Sequence, residues 1–278
     1  MSAPQTSRMR CAVLGSGSSG NATVIQAAAT AVLVDCGYSI KELETRAAAL
    51  GFALETLNGI LVTHEHDDHI GGVSALARKY GIPIFATRGT RNAQEARQGP
   101  LAEWQQISPH EVFQLGDLEI QAVPVPHDAR EPSQFIFRHA DTTLGVLTDL
   151  GTITPHVVEQ YRDCDALLLE FNHDPDLLAS AVYPARLKRR IAGAYGHLSN
   201  AQAQSLLKQM SAPKLTHVIA AHLSERTNNP ETVELCLQES SAASNGFKWT
   251  IAAQREVTPW FEVMPVDNNF SSLRGPRM

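Results

Sequence analysis

The sequence predicts an α/β sandwich of two related halves, and three observations carry that reading. Short apolar runs end in a polar residue five times along the chain. Helical patterns separate them, and a strand closing in Asp-x-Gly occurs once in each half. Continuous apolar runs of this length suit strands buried on both faces. Polar residues gathered at strand ends mark the sheet edge where an α/β protein builds its site.

In chain order, the first apolar stretch breaks at Gly15-Ser16-Gly17-Ser18-Ser19-Gly20-Asn21. Two readings stay open: a tight strand connection, or a phosphate cradle of backbone N–H groups with Ser16, Ser18, Ser19 and Asn21 as contacts. The lysine and helix of a nucleoside-triphosphate loop are missing. Ala31 to Val34 is a strand delivering Asp35-Cys36-Gly37, and Gly59 to Thr63 runs into His64. A helix is expected over Ile70 to Tyr80, with Ile70, Val73, Ala77 and Tyr80 on one stripe closed by Gly81 and Pro83. Gly145 to Thr148 repeats the strand motif into Asp149-Leu150-Gly151, and Ala166 to Leu169 delivers Glu170. The run Arg186-Leu187-Lys188-Arg189-Arg190 reads either as a solvated helix face or as a phosphate-guiding patch. Asn200 to Met210 is a second expected helix, with Asn200 as N-cap and Ala203, Leu206, Leu207 and Met210 at helical spacing. His217 to Ala221 then delivers His222. No linker divides the halves, so residues 1–267 are read as one domain and 268–278 as a disordered tail.

Composition narrows the function classes. With 278 residues, 43% hydrophobic and 19% charged, the chain can fill a globular core. Its polar start and the absence of any run near ~20 apolar residues argue against a signal peptide and a membrane span. Cys11, Cys36, Cys164 and Cys236 lie far apart, which suits reduced thiols and a cytoplasmic location. A net charge of -6 excludes coating nucleic acid by bulk electrostatics but not a nuclease with local phosphate contacts. Oligomeric state is not fixed by any of these features.

The densest chemical signal is His64-Glu65-His66-Asp67-Asp68-His69, directly after a buried strand. Imidazole and carboxylate are zinc's borderline ligands, and they must converge to within about 2.0–2.2 Å of an ion. Six residues of regular helix or strand cannot turn four donors onto one ion. A loop leaving a strand can divide them between two ions. His110, His139, His156 and His217 have no partner pattern and read as ordinary histidines.

This His-x-His-x-Asp-His run resembles the signature of the metallo-β-lactamase superfamily, over roughly residues 10 to 225. The resemblance implies a four-layer αβ/βα sandwich and two divalent ions, Zn²⁺ or Mn²⁺, with a hydroxide between them. It implies His64, His66 and His127 on one ion and Asp68, His69 and His222 on the other. Asp149 would bridge the two, and Asp35 would brace the loop. Electron-transfer relatives replace a motif histidine by a carboxylate, whereas His66 is kept here. Glu170 and Gly196-His197-Leu198-Ser199-Asn200 resemble the tRNA 3′-processing ribonuclease branch. There the Glu–His pair protonates the leaving oxygen, so Glu170 and His197 join Asp68 as expected catalytic residues. The glycine–serine loop, Glu170-Phe171-Asn172-His173-Asp174, the His197 segment and His222 through Pro230 together look like YycJ/WalJ-type bacterial proteins. That resemblance implies a phosphodiesterase acting as a 5′-to-3′ exonuclease on nucleic acid, with Asn228 as a further substrate contact. Phe171 stands where the resemblance leads one to expect a small residue. Hydrolysis of a small lactone, thioester or lactam is the alternative, and a non-catalytic metal-loaded partner is a third reading.

Overall fold

The computed structural model describes residues 8–98, 103–210, 212–244 and 246–265. The expectation of a disordered tail falls on residues outside that range. The strands of the first half are β1 (Arg10–Gly15), β2 (Ala22–Ala27), β3 (Thr30–Val34), β4 (Gly59–Leu61), β5 (Ile84–Thr87) and β6 (Trp104–Ile107). Those of the second are β7 (Val112–Leu115), β8 (Leu118–Pro124), β9 (Ser133–His139), β10 (Thr142–Leu147), β11 (Ala166–Glu170), β12 (His217–Ala221) and β13 (Lys248–Ile251). A last short strand, β14 (Phe261–Glu262), returns to edge the first sheet beside β1. Among the described residues this gives two seven-stranded sheets, ordered β14-β1-β2-β3-β4-β5-β6 and β13-β12-β11-β10-β9-β8-β7.

The helices of the first half are α1 (Ile40–Leu50), α2 (Asp67–Ile70), α3 (Val73–Tyr80) and α4 (Arg88–Gln98). In the second half they are α5 (Pro155–Tyr161), α6 (Pro175–Ser180), α7 (Ala185–Ile191), α8 (Asn200–Met210) and α9 (Pro230–Ala242). Three apolar clusters define the layers. Val13, Ile25 and Val32 of the first sheet meet Phe135, Phe137, Leu168 and Ile219 of the second between the sheets. Leu43, Val73 and Leu76 pack α1 and α3 onto the outer face of the first sheet. Val157, Leu206 and Leu237 do the same for α5, α8 and α9 on the second. Each fully buried Leu, Val or Phe contributes roughly 1.5–3 kcal/mol, so these three layers carry the fold. The four-layer sandwich is therefore as expected. Phe171 is fully buried in the outer cluster on the second sheet.

β3 through β6 run parallel, as do β10 through β13. Parallel neighbours end on the same side, which is why the polar residues that follow β3, β4, β10, β11 and β12 can share a site. Two helix expectations need correction. The helix over 70–80 is broken into α2 and α3, because Gly72 N–H donates to the Cys36 carbonyl (2.7 Å) and the Asp68 carbonyl accepts from Asn21 N–H (2.8 Å), and a Cβ on Gly72 would stand 1.9 Å from the Tyr38 carbonyl oxygen. Helix α8 lies where expected, but Asn200 is not its cap. Ser199 is: Gln202 N–H donates to Ser199 Oγ (3.3 Å), and Ser199 N–H donates to Gln202 Oε1 (2.9 Å), a reciprocal capping box. Among the described residues no helix is long and apolar enough to cross a membrane.

Candidate metal centre

Three strand-end residues turn the chain with left-handed backbone: Asp35 at φ 60°, Asp149 at φ 51° and His222 at φ 56°. Non-glycine residues rarely sit there, and such strain collects at functional sites. The glycines of the repeated Asp-x-Gly motif have a steric reason. A Cβ on Gly37 would lie 1.9 Å from the Asp68 carbonyl oxygen, and one on Gly151 would lie 2.5 Å from Gly196 N and from the Ala194 carbonyl oxygen. Each half thus uses its glycine to press the strand end against a loop bearing a site residue.

The hydrogen bonds behind the histidines fix which nitrogen faces inward. Thr63 Oγ1–H donates to Asp35 Oδ2 (2.8 Å), so Thr63 Oγ1 must itself accept from His64 Nδ1 (2.9 Å). His69 Nδ1 donates to Asp35 Oδ2 (2.8 Å), and His127 Nδ1 donates to the Gly196 carbonyl (3.1 Å). His222 Nδ1 donates to Glu170 Oε1 (2.9 Å). Four rings therefore turn Nε2 inward, the arrangement by which outer hydrogen bonds orient metal-binding imidazoles.

Two groups of donors result. His64 Nε2 lies 2.9 Å from His66 Nδ1, which lies 3.3 Å from His127 Nε2. Burial, then the neighbouring rings, lowers the pKa of His64, and burial lowers that of His127, so both favour the neutral form that ligates. In the second group, His69 Nε2 lies 3.4 Å from Asp68 Oδ2 and His222 Nε2 lies 3.5 Å from it. Asp149 stands between the groups, its Oδ1 3.8 Å from His127 Nε2 and 3.7 Å from His222 Nε2, its Oδ2 3.3 Å from His69 Nε2. Burial opposes charge on Asp149, but His222, His69 and His127 outweigh it and hold its pKa down. Burial likewise opposes charge on His69, where Asp149, Asp68 and Asp35 prevail and raise the pKa well above the imidazole range. Asp149 Oδ2 is buried and takes no hydrogen bond. An orphaned buried carboxylate oxygen facing inward imidazole nitrogens is an environment that a divalent cation satisfies, and the residues present fit one in each group.

Asp149, Glu170, His197 and His222 also bring one ligand atom each within 4.8 Å of the others. Glu170, however, is fully buried and has its oxygens occupied. Oε1 accepts from His197 Nδ1 (2.8 Å) and His222 Nδ1, while Oε2 accepts from the backbone N–H of Leu150 (3.2 Å) and Leu198 (2.9 Å). Burial alone would raise its pKa; His197 and His222 outweigh that and keep it ionised.

The substrate contacts expected from the glycine–serine loop divide. Ser18 and Ser19 are exposed, whereas Ser16 and Asn21 are buried and engaged within the fold. Ser16 Oγ accepts from His222 N–H (2.7 Å), and Asn21 Nδ2 donates to the Gly17 carbonyl (3.0 Å) and reaches Asp68 Oδ2 at 3.4 Å. Gly17 N–H is taken by Asn21 Oδ1 and Ser19 N–H by Gln254 Oε1, which leaves little of the loop to cradle a phosphate. Asn228 is tied to Asn200 by two 2.9 Å bonds and donates to the Phe171 carbonyl (2.7 Å), so its amide is spent on the scaffold. Of the histidines read as ordinary, His110 and His156 pack edge to face on each other, His139 Nδ1 donates to the Asp117 carbonyl, and His217 meets Thr250. Sequence reasoning missed Thr63, Asn172 and Asp128. Thr63 links Asp35 to His64, and Asn172 Nδ2 donates to the His222 carbonyl (3.1 Å). Asp128 Oδ1 sits 3.5 Å from His127 Nε2 and 3.8 Å from His66 Nε2, with Arg190 on its other oxygen. Adjacency to a predicted ligand, at Thr63 and Asp128, was the available signal.

Residues 30–222 match the family model described as the beta-lactamase superfamily domain. The chain belongs to the metallo-β-lactamase superfamily. It is 34% identical over 229 residues to "Exodeoxyribonuclease YycJ" of Bacillus anthracis, covering 82% of this chain and 87% of that protein. It is 33% identical over 239 residues to "Exodeoxyribonuclease WalJ" of Streptococcus pneumoniae (strain D39), covering 84% and 88%. The crystal structure of the metallo-β-lactamase-fold protein YhfI from Bacillus subtilis superposes with a TM-score of 0.69 at 17% identity, covering 91% of this chain and 99% of that one, and shares the fold. By family and relatives the chain is a metal-dependent hydrolase.

Proposed function

We propose that the chain is a two-metal phosphodiesterase that degrades DNA from the 5′ end. The observation that carries the reading is the buried Glu170 carboxylate, which holds His197 at 2.8 Å beside the double donor cluster. The exodeoxyribonuclease names of both curated relatives support DNA as the polymer. In this reading His64, His66 and His127 hold one ion, Asp68, His69 and His222 the other, and Asp149 serves both. Two divalent ions there would lower the pKa of a shared water and offset charge gathering on a phosphoryl oxygen. Five imidazoles and two carboxylates favour zinc, with manganese as the competing ion.

The chain's own residues do the rest. Glu170 fixes the orientation of His197 by accepting a hydrogen bond from its Nδ1–H, which leaves Nε2–H to deliver a proton to the leaving oxygen. Asp35 and Thr63 hold His64 and His69 in place, and Ser16 and Asn21 fix the backbone at His222 and the Asp68 carboxylate. One domain of two related halves, closed around this shared edge, accounts for the arrangement, and four unpaired cysteines suit a cytoplasmic location.

The test is degradation of 5′-phosphorylated, end-labelled single- and double-stranded DNA and RNA by purified protein with Zn²⁺ or Mn²⁺, beside Asp68→Ala. Metal-dependent release of nucleotides from the 5′ end, lost in Asp68→Ala, is expected. No cleavage by protein shown to carry two metals would overturn the reading and direct the search to lactone, thioester and lactam substrates.

A further inference from the structure

Asp128 and Arg190 form an ion pair at the edge of the donor cluster. Asp128 Oδ1 lies 3.5 Å from His127 Nε2 and 3.8 Å from His66 Nε2, while Oδ2 accepts from Arg190 Nε–H. A single carboxylate thus separates the guanidinium from two donors of the first group. The hydrogen bond to Asp128 raises the Arg190 pKa; burial opposes it, and the charges of Asp128 and Asp68 add to the rise. Asp68 belongs to the second group, so the guanidinium stands in the field of both.

The fold does not need this pair as a latch. Its side chains are 56% and 31% exposed, and an ion pair so open to water adds little stability. The turn it spans is closed without it. His127 Nδ1 donates to the Gly196 carbonyl (3.1 Å), Asp128 N–H to the Tyr195 carbonyl (3.0 Å) and His197 N–H to the Ile191 carbonyl (2.8 Å). Glycine at 196 lets the chain close this tightly, since a Cβ there would stand 2.2 Å from the Arg190 carbonyl oxygen. Arg190, Asp128 and His197 are therefore held in a fixed relation.

What the pair does is aim the guanidinium. An arginine paired for strength engages a carboxylate through two parallel N–H bonds. Arg190 gives Asp128 only Nε–H, and its Nη1 and Nη2 make no hydrogen bond among the described residues. The two terminal NH₂ groups form a planar fork, anchored at its base and open beyond it. Such a fork suits the oxygens of a phosphate, on which charge gathers as the group is transferred.

We propose that Arg190 binds a non-bridging oxygen of the scissile phosphate through Nη1 and Nη2, with Asp128 as the positioning residue that aims it. The contact lies beside His197, so the phosphoryl charge and the leaving oxygen are met by groups fixed to one another. This rests on the phosphodiesterase reading and adds to it a residue, outside the metal donor set, that touches the reacting phosphate.

The experiment compares wild type with Arg190→Ala, Arg190→Lys, Asp128→Asn and Arg189→Ala, each at wild-type metal content by elemental analysis. The substrate is a 5′-phosphorylated duplex whose first linkage is a phosphodiester or either methylphosphonate diastereomer, each lacking a different non-bridging oxygen. Arg190→Ala is expected to lower kcat about 10²–10³-fold and to regain part of it with added guanidinium. Calorimetry with inorganic phosphate should give it a Kd weaker by about tenfold. Arg190→Lys, a point charge without the fork, should recover only part of either loss. Wild type is expected to cut both diastereomers more slowly than the phosphodiester. In Arg190→Ala the penalty for one of them should shrink by as much as the variant loses on the phosphodiester, while the other penalty stands. Asp128→Asn should lose about tenfold in kcat and shrink the same penalty in part, which a mere brace of the turn would leave alone. Arg189→Ala is expected at wild-type kcat. Arg190→Ala that turns over like wild type, or that keeps both penalties at full size, would overturn the contact and leave the nuclease standing. An equal loss in Arg189→Ala would overturn it as well, because the basic run as a whole would then be acting. Wild type that cuts no DNA with both metals bound would overturn the phosphodiesterase reading too.

Discussion

Glu170 shows how much one buried side chain can be asked to do. Its two oxygens take four N–H groups, from His197, His222, Leu150 and Leu198. In Glu170→Gln one oxygen becomes an NH₂, so two of those donors face a donor. Each buried N–H left unpaired costs about 1–3 kcal/mol. Glu170→Gln is therefore expected to melt at lower temperature, to hold less metal through the loosened His222, and to lose turnover. His197→Ala separates these effects. It should keep wild-type metal content by elemental analysis while kcat falls about 10²–10⁴-fold, and an unchanged kcat would remove His197 from the reaction. Asp35→Asn makes a parallel case. Its carboxylate accepts from Thr63 N–H, Thr63 Oγ1–H and His69 Nδ1, and an amide cannot serve all three. A roughly 10–100-fold loss of metal affinity is expected by competition with a chromophoric chelator, with little change in kcat once the metals are restored.

The elements explain why some of this was legible in the sequence and some was not. Apolar runs ending in Asp35, His64, Asp149, Glu170 and His222 were readable because parallel central strands are hydrophobic on both faces, so the first polar residue marks the sheet edge. The broken helix over 70–80 was not readable from periodicity. Its apolar stripe survives the break, and what interrupts it is the pairing of Gly72 N–H with the Cys36 carbonyl and of the Asp68 carbonyl with Asn21 N–H, partners distant in sequence. Asn200 and Asn228 misled for a similar reason: each has the composition of a cap or a substrate contact, and only tertiary structure pairs them with each other. The glycine of Asp149-Leu150-Gly151 yields a prediction at this scale. Because Gly196 and Ala194 already touch Gly151, Gly151→Ala must shift the segment carrying His197. A stability loss of about 1–3 kcal/mol in urea unfolding is expected, together with a fall in kcat that exceeds any loss of bound metal. Wild-type stability and kcat would show that the loop can move aside at no cost.

Across the whole molecule, the site is the seam at which the two halves meet. The first half contributes Asp35, His64, His66, Asp68 and His69; the second contributes His127, Asp149, Glu170, His197 and His222. The apolar layer between the sheets holds the halves together, but at the seam the inward face is made of imidazole nitrogens and of Asp149 Oδ2, which is buried without a hydrogen bond. Without a cation, ionised Asp149 and Asp68 outweigh burial and keep a proton on the ring that faces them, as the raised pKa of His69 records, and a bound cation takes the place of that proton. Metal binding to the folded chain alone must then raise the stability of both halves, by about 2.7 kcal/mol per site when free ion stands at a hundred times its Kd. Dialysis against a chelator is accordingly expected to abolish activity and to lower the melting temperature of the entire transition. Readdition of Zn²⁺ or Mn²⁺ should restore both together. A melting temperature indifferent to chelation, in protein shown to have lost its metal, would mean that the hydrophobic layers alone hold the seam and that the cations serve chemistry only.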